Sequence, residues 1–267
     1  MAQIASSSGR KSFRPARSLA PGTPAPLESA SGFSTKPDPM ARTQKVVAVL
    51  PAYNLEKGIA EIVRRTLPFV DHVVVTADAS KDGTAAAARA AGATVPEPEM
   101  VRGKGYALIK GVEASKQFSP DIVIVMDSDG QHLPEEIPVL LKPFEEGPVD
   151  MVVGSRMLGT LRTSTINKFG NFGLKCISFA VTWRWLTDTE SGFRAFRANR
   201  LYQLKLSSRG YEIESELLLR ALHADFKYKE VPIHVPFAVP GVTVWDGLKV
   251  GWYKVKNGLK LRLGMDF

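Results

Sequence analysis

A run of apolar residues that ends directly in acidic side chains is the feature that most constrains how this chain folds. Residues Ile122 to Met126 are followed by Asp127, Asp129 and Gln131, each separated from the next by one residue. A short continuous apolar run beside turn-forming residues predicts a β-strand covered on both faces. Open α/β sheets bind ligands at the carboxyl ends of such strands. Hard oxygen atoms there favour Mg²⁺ or Mn²⁺, although the same residue types are also typical of a plain polar turn.

Short apolar runs alternate with helical patterns through the first half of the chain, from Lys45–Leu50 to Met151–Val153. Strands separated by helices of about ten to fifteen residues predict parallel βαβ units with right-handed crossovers. We therefore expect the α/β fold class, with a mainly parallel, doubly wound sheet. Gly92–Val95 is predicted to be a short third strand. Lys229–His234 is predicted to be an edge strand, because Pro232 lacks a backbone donor.

The second half of the chain departs from this alternation after Ser155. Leu158–Thr187 is a polar and then aromatic-rich stretch with helical character, and Ile213–Ala224 has the pattern of an amphipathic helix. We expect these segments to form a helical region beside the sheet.

The two ends of the chain differ in composition from the part that forms the sheet. Residues 1–44 are rich in Ser, Ala, Pro and Gly without periodicity, which predicts a disordered extension. It is either a targeting segment or an extension upstream of an internal start at Met40. Residues 45–235 are predicted to form the folded domain. Residues 236–267 carry Trp245 and Trp252 among lysines, a pattern typical of a basic amphipathic helix on an anionic membrane or of one packed onto the sheet.

Composition narrows the range of partners and compartments. The net charge of +8 favours anionic partners: nucleotides, phosphates, nucleic acids or an acidic membrane surface. Cys176 is the one cysteine, which excludes an internal disulfide framework and a cysteine-based metal cluster. No uncharged apolar stretch reaches about eighteen residues, so we predict no transmembrane helix.

Polar turns follow other predicted strands as well. Tyr53, after the first strand, can stack on a nucleobase, and Asp78, after the second, can accept hydrogen bonds from a base or a ribose. Residues 101–105 (V-R-G-K-G) form a basic loop before a helix, a position able to approach phosphate. The loop matches neither a P-loop nor a dinucleotide-binding fingerprint.

Seven short motifs together resemble family 2 glycosyltransferases of the GT-A fold, in the branch of the dolichyl-phosphate mannose and glucose synthases. The resemblance covers roughly residues 45–234, and the motifs occur in the family's order. They are P-A-Y-N (51–54), S-K-D-G-T (80–84), G-K-G (103–105), D-S-D-G-Q-H (127–132), G-S-R (154–156), D-T-E-S-G-F-R (188–194) and E-V-P-I (230–233).

The resemblance implies a metal-dependent, inverting sugar transfer and assigns roles to residues of this chain. Asp129 and Gln131 would hold Mg²⁺ or Mn²⁺ across the diphosphate of a nucleotide sugar. The residues expected to line the nucleotide-sugar pocket are Pro51, Tyr53, Asp78, Asp127, Ser128 and Arg156. The residues expected to be catalytic are Asp127, Asp129, Arg156 and Arg194, the two arginines by gripping phosphate groups.

The chemistry of the acceptor determines whether a general base is needed. A polyprenyl or dolichyl phosphate is largely dianionic at neutral pH, so it needs positioning and charge rather than deprotonation. A saccharide hydroxyl acceptor would need a base, for which Glu190, Glu212 and Glu214 are the candidates. A basic nucleic-acid-binding protein is the alternative from another class, but only the charge favours it, and we expect no nucleic-acid partner.

Three departures from the family pattern bear on the donor. Leu55 and Ala77 stand where the family often has acids, and residues 238–247 replace the basic motif usual after E-V-P-I in the mannose synthases. We therefore favour a UDP-sugar, with GDP-mannose as the alternative. The expected location is the cytosolic face of a membrane, with the protein bound peripherally through its C-terminal segment.

Overall fold

The computed structural model describes residues 43–97, 103–159, 165–236 and 244–265, and the side chains of 165–172 and 244–248 are not among the features described. Residues 1–42 of the predicted N-terminal extension, residues 101–102 of the V-R-G-K-G loop and residues 237–243 of the predicted C-terminal segment therefore lie outside the described residues.

A six-stranded sheet forms the centre of the fold, in the order β2-β1-β3-β5-β4-β6. Only β5 runs antiparallel to its neighbours in this sheet, β3 and β4, so the expectation of a mainly parallel sheet is confirmed. The strands are β1 (Val46–Pro51), β2 (His72–Thr76), β3 (Ile122–Val125), β4 (Met151–Ser155), β5 (Arg194–Arg197) and β6 (Tyr228–Pro232).

Helices connect these strands or follow the last of them. They are α1 (Ile59–Thr66), α2 (Thr84–Ala90), α3 (Lys104–Ser115), α4 (Ile137–Glu146), α5 (Thr165–Thr182), α6 (Ala198–Leu201), α7 (Ile213–His223) and α8 (Val244–Arg262). None of the helices in the described residues is both long and apolar enough to cross a bilayer.

Both faces of the sheet are covered by helices. Successive side chains of a strand point to opposite faces, so Val46, Ala48 and Leu50 enter one core while Val47 and Val49 enter the other. The first core also contains apolar residues of α1, α2 and α4, and the second contains those of α3, α6 and α7. This burial on both faces explains why the strands read as continuous apolar runs.

Two predicted strands at the margins of the sheet have different outcomes. The prediction of a strand at Gly92–Val95 is wrong, because only Thr94 pairs, as an isolated bridge to Val74. Gly92 has a φ of 99°, so the backbone bends just before the bridge and does not extend along β2. The predicted edge strand is confirmed, since β6 ends the sheet next to β4.

The helical region predicted after Ser155 is built from α5, α7 and α8. A side-chain carbon placed on Gly258 of α8 would lie 1.7 Å from Val181 of α5, so these two helices approach closely only because position 258 has no side chain. Arg262 adds a hydrogen bond from its Nε to the carbonyl oxygen of Val181, 2.7 Å long.

The antiparallel pairing of β3 with β5 brings the first and second halves of the chain together. Val125, the last residue of β3, is paired with Arg194, the first residue of β5, and Val153 of β4 is paired with Arg194 from the other side. The segment that follows β3 and the segment that precedes β5 therefore meet at the same edge of the sheet.

Candidate active site

The turns that follow β1, β2 and β3 are joined to one another at the carboxyl edge of the sheet. Ser128 Oγ donates a hydrogen bond of 2.5 Å to the carbonyl oxygen of Pro51. The backbone N–H of Asn54 bonds Ser80 Oγ at 3.2 Å, and Asn54 Oδ1 accepts from Lys81 N at 3.0 Å. Tyr53 remains 53% exposed above this framework, so its ring is available to a ligand.

Asp127 is held by a lysine that also contacts Glu214. Lys104 Nζ lies 2.7 Å from Asp127 Oδ1 and 3.0 Å from Glu214 Oε1. Burial opposes ionisation of Asp127, but Lys104, together with smaller contributions from His132 and Arg156, outweighs it, and the pKa of the carboxyl lies below its usual value. Burial likewise disfavours the charged lysine, yet Glu214 and Asp127 raise the pKa of Lys104 above its usual value. Asp127 is therefore an ionised carboxylate with a fixed cationic partner.

Gly192, from the segment before β5, lies directly against the Asp127 carboxylate. A side-chain carbon at position 192 would lie 2.2 Å from Asp127 Oδ2 and 2.6 Å from its Cγ. The absence of a side chain at position 192 therefore allows the carboxylate to occupy its position.

The two residues predicted to hold a metal ion lie together. Gln131 donates from its backbone N–H to Asp129 Oδ1 at 3.0 Å, and its side-chain amide contacts Asp129 Oδ2 at 2.6 Å. Asp129 is exposed, so its oxygens are accessible. Among the described residues no group of three or more His, Cys, Asp or Glu side chains gathers as a metal site. One or two carboxylates that share an ion with substrate phosphates are the usual arrangement for Mg²⁺, and this donor set fits it.

Arg156, at the end of β4, is fixed by Asp188. Its Nε and Nη2 bond the two oxygens of Asp188 at 2.7 and 2.8 Å, a bidentate pair. Burial lowers the pKa of Arg156, but Asp188, and then Glu190 and Asp127, more than compensate. Asp188 in turn is oriented by Glu230, whose Oε1 accepts from the backbone N–H of Asp188 at 3.1 Å. Asp188 thus holds the guanidinium directly, and the charges of Glu190 and Asp127 add to its stabilisation.

Arg194 is placed differently from the sequence expectation. Its side chain is 1% exposed, and its guanidinium donates to the carbonyl oxygens of Glu214 and Thr189 at 2.8 and 2.9 Å. In this structure the side chain therefore faces the protein interior, where it connects the segment before β5 to α7, and it does not reach the open edge. A cation at the start of a strand gives no indication in sequence of which way it points.

The three candidate bases are all engaged by neighbouring groups. Glu214 is buried and contacts Lys104, while Glu190 forms an ion pair with Lys254 of α8. Glu212 accepts a hydrogen bond of 3.2 Å from the backbone N–H of Gly210. Asp78, expected to contact the nucleotide, is buried and lies 3.3 Å from Lys110 Nζ.

The sequence predictions gave no individual roles to Lys104, Asp188, Glu230 or Gly192, although all four lie in the motifs that carry the resemblance and Lys104 lies in the basic loop expected to approach phosphate. In the structure Lys104 pairs with Asp127 and Glu214. The signals available in the sequence were the charges of Lys104, Asp188 and Glu230 and the place of all four residues in the motifs. The partner of each residue depends on segments that are distant in sequence, and no local pattern encodes it.

A cavity of about 220 Å³ lies between α5, α7 and α8, lined by residues that include Thr182, Trp183, Leu222 and His223. Leu222 and His223 end α7, whereas Glu214 lies near its start, so this cavity is separate from the carboxylates and arginine at the edge of the sheet.

The class of protein follows from fold and sequence together. Residues 47–206 match the family described as Glycosyl transferase family 2. The chain belongs to this family and is a glycosyltransferase, and its mixed sheet is that of the GT-A fold.

Named relatives are similar to the chain over most of its length. It is 30% identical over 264 residues to a polyprenol monophosphomannose synthase from Mycolicibacterium smegmatis, covering 89% of this chain and 96% of the relative. It is 28% identical over 242 residues to a UDP-N-acetylglucosamine–dolichyl-phosphate N-acetylglucosaminyltransferase from Methanococcus voltae, covering 82% and 96%.

Solved structures show the same similarity. Glucosyl-3-phosphoglycerate synthase from Mycobacterium tuberculosis in complex with Mn²⁺ and UDP-glucose is 25% identical, with a TM-score of 0.62, covering 84% of this chain and 81% of that one. Its complex with UDP aligns with a TM-score of 0.63 and also 25% identity, covering 84% and 82%.

Proposed function

We propose that this glycosyltransferase moves a sugar, with inversion, from a nucleotide-diphosphate sugar to the phosphate of a polyprenyl or dolichyl lipid. Relatives named for polyprenol and dolichyl phosphate support the acceptor. A UDP-sugar is favoured as donor, since one relative and one structural neighbour are named with UDP-sugars. GDP-mannose is the alternative.

The observation that carries the acceptor assignment is the state of the candidate bases. A carboxylate that serves as a base must be free to take a proton from a hydroxyl. Glu214 and Glu190 are ion-paired to Lys104 and Lys254, so either would have to break its pair to do so. A phosphate acceptor arrives already ionised and requires no such step.

On the donor side, Tyr53 and Asp78 would contact the nucleoside, and Asp127 and Ser128, with the Pro51 turn, would hold the sugar diphosphate. Asp129 and Gln131 would hold Mg²⁺ or Mn²⁺. When bound, such an ion stabilises negative charge on the departing diphosphate as a Lewis acid. The chain's own contribution is to keep Asp127 ionised through Lys104 and to fix its position against Gly192.

Arg156 is the side chain best placed to orient an incoming phosphate. Its guanidinium is held rigidly by Asp188 while part of the side chain remains accessible, at 21% exposure. A fixed cation aligns the acceptor oxygen for attack and offsets charge as the bond forms. Arg194 would act indirectly, by holding the segment before β5 through the carbonyl oxygen of Thr189.

A membrane-facing surface is the third part of the proposal. Trp183, Trp185 and Trp252 are 71%, 50% and 70% exposed, and Arg262 stacks over the Trp183 ring at 5.2 Å. Exposed tryptophans beside cations suit the interface of an anionic bilayer. We propose that α8 and the end of α5 bind the cytosolic face of a membrane peripherally, where the lipid acceptor resides.

The test is a donor panel of UDP-glucose, UDP-N-acetylglucosamine and GDP-mannose against dolichyl phosphate with Mn²⁺ or Mg²⁺, with the lipid product identified by mass spectrometry. We expect Asp129→Ala to lose transfer by about a hundredfold or more, because the ion loses a carboxylate ligand, while the fold is retained. Glu61→Ala, which removes an exposed carboxylate on α1, is the control. Full activity of Asp129→Ala, or of wild type in excess chelator, would refute the metal assignment. Turnover with hydroxyl acceptors alone would replace the lipid-phosphate assignment.

A further inference from the structure

Lys254 of α8 is fully buried, and its ammonium group lies among residues of the active-site edge. Its Nζ donates to Ser178 Oγ of α5 at 2.8 Å and to Thr189 Oγ1 at 3.0 Å, and it forms an ion pair with Glu190. Burial lowers the pKa of Lys254, with Glu190 acting against that shift. A buried cation is costly unless it is paired, so this lysine depends on Glu190.

Glu190 is two residues from Asp188, the carboxylate that bonds Arg156, and its charge acts on the same guanidinium. Asp188 bonds Arg156 directly, and both Asp127 and Glu190 are close enough to raise the pKa of its guanidinium. An anionic substrate that approaches Arg156 therefore enters a region where carboxylates outnumber the arginine.

Each of the two remaining carboxylates is paired with a lysine. Lys104, at the start of α3, pairs with Asp127 and also with Glu214, which Arg194 faces from its other side, and Lys254, from α8, pairs with Glu190. Because these carboxylates are paired with cations, the region around Arg156 and Asp188 does not repel an incoming phosphate. The Glu190 pair has a second effect, because it attaches the segment between Asp188 and Phe193 to α8.

We propose that Lys254 is a positioning residue that holds Glu190 in an internal ion pair, so that the anionic acceptor can bind beside Arg156 without repulsion. The inference rests on the proposed phosphate acceptor and adds a residue, contributed by the C-terminal helix, that sets the affinity for that acceptor. Lys254 does not touch the reacting atoms.

The experiment compares wild type with Lys254→Met, with the double variant Lys254→Met/Glu190→Gln, and with Lys142→Met, which removes an exposed lysine of α4. Steady-state KM values are measured separately for the nucleotide sugar and for a short, water-soluble isoprenyl phosphate. Hydrogen exchange of the backbone amides of residues 186–193 is followed in the same proteins.

For Lys254→Met we expect the acceptor KM to rise about tenfold, the effect of one uncompensated charge at the edge of a protein, while the donor KM changes less than about twofold. Amide exchange in residues 186–193 should become faster. In the double variant both charges are gone, so the acceptor KM should return to within about threefold of wild type. Lys142→Met should match wild type in all of these measurements.

A structural role alone would raise both KM values together or lower kcat with them, and the double variant would stay impaired; either result would overturn the proposal. If Lys254→Met does not fold, the double variant still tests the proposal. The proposal requires that this variant folds and binds the acceptor nearly as well as wild type does. If wild type shows no transfer to any isoprenyl phosphate, the proposed function fails by itself. Amide exchange then remains the test of Lys254, and unchanged exchange in residues 186–193 would refute its positioning role.

Discussion

Replacing Gly192 with alanine tests whether the position of the Asp127 carboxylate controls transfer. The added carbon would lie 2.2 Å from Asp127 Oδ2, whereas real side-chain carbons essentially never approach closer than 3.0 Å. The carboxylate therefore has to move by close to an ångström. A displacement of about 1 Å in a catalytic group costs on the order of a hundredfold in rate. We expect kcat/KM for sugar transfer to fall by about that factor.

The fold should survive this substitution, because the backbone of Gly192 is not in the left-handed region. Thermal unfolding should show a midpoint close to that of wild type, while steady-state kinetics with Mn²⁺ show the loss. Gly147→Ala is the matched control, since a side-chain carbon there would have nothing within 4 Å. Wild-type kcat/KM in Gly192→Ala would refute the reasoning, because it would mean that Asp127 can move without consequence.

Three further substitutions test the interactions that hold the site and the helices. Lys104→Met removes the charge that lowers the pKa of Asp127, so the acidic limb of the pH profile of kcat/KM should move to higher pH; an unchanged limb would contradict the ion pair as its cause. Glu216→Gln leaves the buried Arg220 without its carboxylate and should lower the free energy of unfolding in urea by about 3 kcal/mol at neutral pH. Burial raises the pKa of Glu216, but its hydrogen bonds outweigh that effect and the folded pKa is lowered, so the stabilisation exists above the unfolded pKa and is lost as pH falls through the folded one. The difference between the two proteins should therefore shrink on acidification, and a constant difference would argue against the assignment. Gly258→Ala forces apart α5 and α8 and should destabilise the protein by about 2 kcal/mol, read from the thermal midpoint, whereas wild-type stability would show that the helices adjust freely.

Local patterns were sufficient to predict the sheet and the edge at which the site lies. The run from Ile122 to Met126 is apolar because both faces of β3 are covered by helices. A strand buried on both faces is recognised in the sequence as an unbroken apolar run. The alternation of such runs with helical patterns predicts parallel strands, whose carboxyl ends must meet. The sequence alone therefore predicts that Asp127, Asp129 and Gln131 lie at this edge.

Contacts between distant segments could not be predicted in the same way. Lys104 is 110 residues from Glu214 in sequence, and nothing near either residue identifies the other as its partner. Arg194 reads as a cation able to grip phosphate, yet tertiary packing turns it towards carbonyl oxygens of its own chain. Gly92–Val95 has the composition of a strand, but a single bridge forms because the backbone bends at Gly92.

The antiparallel strand β5 has a consequence for how this enzyme can vary. Because β5 is antiparallel to its neighbours, the segment that contains Gly192 reaches the carboxyl edge of the sheet before the strand begins. The pairing of Val125 with Arg194 fixes the position of that segment along β3. The chain between β4 and β5 passes through the helical region before it reaches that point. Its length and sequence can change without altering the distance between Gly192 and Asp127, because the hydrogen bonds between β3 and β5 fix that distance. The segment between β4 and β5 can thus diverge while Gly192 and Asp127 keep their positions relative to each other.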